Sequence, residues 1–232
     1  MTKILCLHGY LFNADELKSE LAPIENLFNA NSNNTVKFYY LNAPNILTKE
    51  KTFTELYNTA KDDFKITDEK KILEFVEKCT PKGKSLSWDN ENNPQSPFQD
   101  SIDTLKNYLE NVEGDFDGIF CYSQGCEIGV ILNAILENKI ENKVINHKNL
   151  KFAVFLCGLF PKNFQQKELL SINETQTLNV IGLKDTIVKN ELSFEFAKNF
   201  KNCQILKFNG GHHLPKDQDS LNKIKEFIEK FT

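Results

Sequence analysis

The stretch GIFCYSQGCEIGVIL, residues 118–132, decides how this chain is read. A short apolar run ends at Cys121, and a run with helical spacing begins at Gly125. Between them stands a lone serine, Ser123. A serine hydroxyl is a weak nucleophile that needs a base beside it and room to approach a carbonyl carbon. A tight strand-to-helix turn supplies the room, because it lifts the side chain above the sheet edge. It also demands small residues two places before and two places after. Gly125 meets that demand on the far side. On the near side stands Cys121, where the G-x-S-x-G nucleophile elbow has glycine, so a more crowded turn is expected. The helix that follows points its free N–H groups at the serine, where they favour developing negative charge. Taken alone, the C-x-S-x-G pattern reads equally well as a serine that caps a helix.

The surroundings of this stretch repeat its rhythm. KILCLH (3–8), VKFYYL (36–41), FAVFLCG (152–158), TLNVIGL (177–183) and CQILKF (203–208) read as further strands. Helices are expected at 13–28, with Asn13 as cap and Glu16 in the reciprocal capping position, and at 96–112, opened by Ser96, Pro97 and Gln99. Two more are expected at about 189–200 and 220–231. Strand–helix alternation with near-continuous apolar strands predicts an α/β fold, a mostly parallel sheet covered on both faces. Residues 42–95 break the rhythm: one clear helix, DEKKILEFVEKC (68–79), lies amid polar loop and Trp88. Long connections of this kind are usually lids or binding loops, so 42–95 is a candidate lid or substrate-binding insertion in a single domain spanning 1–232. NANSNN (29–34) and NENN (90–93) read as polar loops.

Two strand ends answer the serine. VIGLKDTIV places Asp185 just past one strand, and FNGGHHLP places His212 just past the last. Alone, Asp185 reads as a turn residue. The order Ser123, Asp185, His212 is that of α/β hydrolases, and each residue falls at the carboxyl edge, where parallel sheets carry their sites. The first strand ends in His8-Gly9 and turns, which offers an oxyanion donor from the backbone N–H of Tyr10 or Leu11 beside that of Gln124. His8 itself, at a strand end before glycine, is expected to shape the loop rather than act as base.

Composition narrows the function. The chain has 232 residues with a formal net charge of −4 and no arginine among its 28 basic residues. No basic stripe is present, which argues against a nucleic-acid partner. Any anionic group must be held without a guanidinium fork. No apolar run approaches the length of a membrane span, and no signal-peptide pattern opens the sequence. The expected compartment is the cytoplasm, with the nucleus as the alternative. The six cysteines show no CxxC pair and lie mostly in apolar runs, as reduced core residues do. No metal site is expected, since only the adjacent His212 and His213 fall on one element.

With these residues assembled, the chain resembles the FSH family of serine hydrolases, small esterases and thioesterases of the α/β-hydrolase fold. The likeness runs through ILCLHGYLFNADEL, YYLNAPNIL, LSWDN, GIFCYSQGCEIG, FAVFLCGLFP, TLNVIGLKDTIV and NGGHHLP. It implies Ser123 as nucleophile, His212 as base, Asp185 as the residue orienting it, and hydrolysis of carboxylic esters or thioesters without a cofactor. His213 stands where the family varies and is expected as a wall residue. Trp88, in the candidate lid, and Phe160, in the apolar stretch FLCGLFPKNF after a strand, are the candidates for contact with an acyl chain. The expected substrate is a neutral small-molecule acyl ester or thioester.

Overall fold

Along β1 (Thr2–Leu7), Ile4 and Cys6 face one side of the sheet and Leu5 and Leu7 the other, and all four are fully buried. That is why the run carries no alternation of apolar and polar residues: both faces are covered. The computed structural model describes residues 1–29, 36–140, 145–161, 164, 170 and 174–232. The polar loop expected at 29–34 lies outside them beyond Asn29.

After β1 come α1 (Ala14–Asn29), β2 (Val36–Leu41), β3 (Asn45–Ile46), α2 (Lys49–Asp62), α3 (Glu69–Cys79), β4 (Leu86–Ser87) and α4 (Gln99–Asn111). The chain continues through β5 (Gly118–Tyr122), α5 (Gln124–Leu136), β6 (Phe152–Leu156), β7 (Gln176–Gly182), α6 (Asn190–Ala197), β8 (Cys203–Phe208) and α7 (Gln218–Glu229). Six strands form one parallel sheet in the order β2-β1-β5-β6-β7-β8. Helices α1 and α7 cover one face, through Leu17, Leu21, Ile24, Leu221, Ile224 and Phe227. Helices α4, α5 and α6 cover the other. Every residue of α5 is buried, so this helix behaves as a core element.

The chain leaves β1 toward β2 and returns to β5 on the other side of β1. The order therefore reverses at β1, and the loops at the carboxyl ends of β1 and β5 diverge to leave a crevice. Both the serine and the candidate oxyanion loop stand there.

Two helix starts differ from expectation. Asn13 caps α1, its Oδ1 accepting from the N–H groups of Asp15 and Glu16, both at 3.0 Å. Glu16 does not reciprocate; its carboxylate takes the N–H of Lys82 at 3.2 Å and ties the helix to the 42–95 segment. The helix expected from Ser96 begins at Gln99, and Phe98 stands at its cap. Pro97 gives its carbonyl to the N–H of Asn90 at 2.7 Å, and Ser96 to that of Gln99, so the stretch is spent on a turn.

Residues 42–95 hold more order than one helix. α2 and α3 pair as a hairpin over a small core of Leu56, Ala60, Ile72 and Val76, closed by Leu11. β3 and β4 form an antiparallel ribbon through Asn45–Ser87 and Ile46–Leu86. Among the described residues no helix is long and apolar enough to cross a membrane.

Candidate active site

Ser123, the first residue after β5, adopts φ 52° and ψ −119°. Such a backbone costs a side-chain-bearing residue about 1–3 kcal/mol and persists only where its neighbours fix it. Here they do. The Ser123 N–H donates to Leu156 O at the end of β6 (3.0 Å), and Ser123 O accepts from the Cys126 N–H (2.8 Å). Gly125 rests on the end of β1, where any Cβ would overlap the Leu7 carbonyl. The glycine two places behind the serine is thus required by the close approach of helix and strand.

The three residues expected to act together do meet. Ser123 Oγ lies 2.9 Å from His212 Nε2, and His212 Nδ1 lies 2.7 Å from Asp185 Oδ2. Asp185 Oδ1 accepts the N–H groups of Ile187 and Val188, both at 2.9 Å. A carboxylate carries no proton, so Nδ1 donates to it and Nε2 is left to accept the serine hydroxyl proton. Ser123 and Asp185 are buried, and the imidazole keeps a narrow exposed edge.

Two loops hold this line straight. Gly182 ends β7 beneath the histidine loop, where a Cβ would collide with the Gly211 carbonyl. The Lys184 N–H donates to Gly210 O at 2.8 Å, stitching the aspartate loop to the histidine loop. Tyr122, next to the serine, donates its phenol to the His212 carbonyl at 2.8 Å and sets its ring 5.1 Å from the imidazole. Burial pushes that phenol well above its usual pKa, so it remains a donor. Nothing in the sequence pattern marked Tyr122 as a support for the histidine.

The candidate oxyanion donors separate. The Leu11 N–H is already donated to Leu86 O at 3.1 Å, so Leu11 is corrected as a donor. Its φ of 67° turns the loop toward β4. Among the described residues no group takes the backbone N–H of Tyr10 or of Gln124. The Gln124 side chain is anchored in the 42–95 segment: Oε1 accepts the Trp88 N–H at 3.0 Å and Nε2 donates to Asp89 Oδ1 at 2.8 Å.

The expected substrate contacts fare differently. Trp88 is fully buried, its indole N–H donating to His8 O at 2.7 Å and its carbonyl accepting from Ser101 Oγ. It offers no surface to a ligand, and its expected contact with an acyl chain is corrected: it packs against the His8 ring in the core. His213 gives both ring nitrogens to backbone, Nδ1 donating to Leu214 O (2.7 Å) and Nε2 accepting from the Gly211 N–H (3.3 Å). It braces its own loop. Phe160 is half-buried and packs on Phe196, with ring centroids 4.9 Å apart.

His8 shapes the loop, as expected. Its Nδ1 donates to Gly9 O at 2.8 Å and its Nε2 accepts the Ala43 N–H at 3.0 Å. Burial lowers its pKa from 6.5 to about 4, so it stays neutral.

A model of the family described as serine hydrolase (FSH1) matches residues 1–224. The chain is 26% identical to an esterase of Drosophila melanogaster, CG5412, over 99% of this chain and 75% of that protein. It is 23% identical to the esterase OVCA2 of Danio rerio, over 99% of this chain and 97% of that one. Among solved structures it is similar to acyl-protein thioesterase 2 of Zea mays, with a TM-score of 0.61 at 14% identity, covering 99% of this chain and 93% of that chain. The structural likeness shows the α/β-hydrolase fold, and with the family match over nearly all of its length the chain belongs to the serine hydrolase (FSH1) family.

Proposed function

We propose that the protein is an esterase that cleaves neutral carboxylic esters or thioesters, with an acyl chain on the acid side, through an acyl-enzyme on Ser123. The observation that carries this reading is the unbroken row from Ser123 Oγ through the His212 imidazole to Asp185 Oδ2. His212 Nε2 takes the hydroxyl proton as Ser123 attacks the acyl carbonyl. The oxyanion falls to the backbone N–H groups of Gln124 and Tyr10, with α5 pointing its N-terminus at the same spot. His212 returns the proton to the leaving alcohol or thiol, and water repeats the path to free the acid. Asp185 holds the tautomer and stabilises the imidazolium.

The insertion at 42–95 is placed in this reading as the cover of the site. The carboxyl of Asp63, in the α2–α3 connection, is raised by burial, and it lies near enough to interact with Asp185 and His212. Phe64 beside it, and Leu183 and Ile187 on the aspartate loop, are exposed. On this reading they border the site, an apolar lining suited to an alkyl chain and unsuited to an anionic acid in a chain without arginine. Turnover of an ester series of rising chain length, alongside the matching acyl thioesters, tests the substrate class. Preference for longer neutral chains is expected. Equal turnover at all lengths removes the apolar border from the account, and no turnover of any ester or thioester favours a binding protein on the same fold.

A further inference from the structure

Behind the imidazole stands a third donor that the proposed chemistry does not use. Cys157 follows β6 at φ 52°, its N–H donated to Val180 O at 2.9 Å. Its thiol is fully buried. A donor atom of Cys157, one of Asp185 and one of His212 all lie within 4.8 Å of one another. Tetrahedral zinc, with bonds of about 2.0–2.3 Å, sets such atoms about 3.3–3.6 Å apart. The pair at 2.7 Å, His212 Nδ1 and Asp185 Oδ2, has only to open slightly, and the thiol to close in.

We propose that Cys157, Asp185 and His212 form an inhibitory site for a soft divalent cation, zinc or cadmium, with water as fourth ligand. The proposal rests on the esterase reading for its consequence, though not for the binding itself. The charges suit a buried place: one thiolate, one carboxylate and a neutral imidazole bring two negative charges to a divalent cation. The thiolate selects soft cations over magnesium and calcium. Binding forms a sulfur–metal, an oxygen–metal and a nitrogen–metal bond. It releases one proton to solvent, from the thiol, while the imidazole proton passes from Nδ1 to Nε2, with no change of oxidation state. The consequence lies in the tautomer. A neutral imidazole bound through Nδ1 carries its proton on Nε2, so the nitrogen facing Ser123 becomes a donor and the base is lost.

The experiment uses protein in which Cys79 and Cys203, the two half-buried thiols, are replaced by serine. Zinc titrated into the ester assay is expected to abolish turnover, reversibly with a chelator, while magnesium and calcium do nothing. Cys157→Ser is expected to keep its ester turnover and to raise the half-inhibitory zinc concentration roughly tenfold or more. Cobalt added to Ser123→Ala is expected to give thiolate-to-cobalt absorption that is absent when Cys157→Ser or Cys157→Ala is added. That readout needs no catalysis, so it separates failure of the metal site from failure of the esterase reading. Equal zinc sensitivity with and without the thiol, or no thiolate–cobalt band, overturns the proposal.

Discussion

The Sγ of Cys121 occupies the space in which a Cβ on Gly129 would stand. Cys121 ends on the α5 face of β5, and Gly129 is the residue of α5 that lies over it. This pairing answers the crowding that a cysteine in place of the elbow glycine implied. The helix gives way where the strand does not, and the turn at Ser123 keeps its geometry. Gly129→Ala should therefore overpack the elbow and lower stability by about 1–3 kcal/mol, with a fall in turnover beyond what stability explains. Adding Cys121→Ala should restore part of both. A double-mutant cycle by urea unfolding checks it: additive losses would mean that the two residues do not share one space.

Gln124 links the elbow to the insertion through Trp88 and Asp89. Gln124→Ala keeps the backbone N–H but frees the loop that aims it. A small misplacement of catalytic groups costs up to about a hundredfold in rate. The expected result is a fall in kcat of roughly ten- to a hundredfold with KM little changed. A change confined to KM would place Gln124 in substrate binding instead. Trp88→Phe, which loses both the indole N–H given to His8 O and part of the fully buried ring volume, should act in the same direction and destabilise by about 1–3 kcal/mol or more.

Much of this site was legible in the sequence because its chemistry sits at strand ends, and strand ends are marked by glycine. Gly125, Gly182 and Gly210 each punctuate an apolar run, and at each an added Cβ would collide with a neighbouring group. What escaped was held by weaker signals. α2 buries only Thr52, Leu56 and Ala60, a stripe too narrow to register as amphipathic. β3 and β4 are two residues each. Trp88 in a polar stretch looked like a ligand contact. Only the tertiary fold shows that its neighbours Ser87 and Asp89 reach inward to Gln124. The spending of the Leu11 N–H on β4 was hidden for the same reason.

Asp185 orients His212 and receives two backbone N–H groups of its own loop. Asp185→Asn preserves the shape but presents an amide to Nδ1 and favours the wrong tautomer. Turnover should drop on the order of 10⁴-fold while ester binding persists. Comparable turnover in the variant would remove the aspartate from the proposed row.

His8 makes folding pH-dependent. Its pKa is about 4 in the fold and 6.5 in the unfolded chain, so between these values the unfolded state binds more protons. Stability is fully present above pH 6.5, is lost as pH falls toward 4, and levels off below, a total of about 3 kcal/mol from this residue. His8→Gln, which can still accept from the Ala43 N–H, should flatten the slope in that window. Urea midpoints measured across it check this, and an unchanged slope would assign the acid sensitivity elsewhere.

The most direct measurement is covalent. A fluorophosphonate probe reacts only where a hydroxyl is activated by a base and its anion is received by an oxyanion hole. Tryptic mapping of the labelled folded protein should place the adduct on Ser123, with Ser123→Ala unlabelled and His212→Ala slowed by orders of magnitude. An adduct on another residue, or labelling undiminished without the His212 imidazole, would contradict the account.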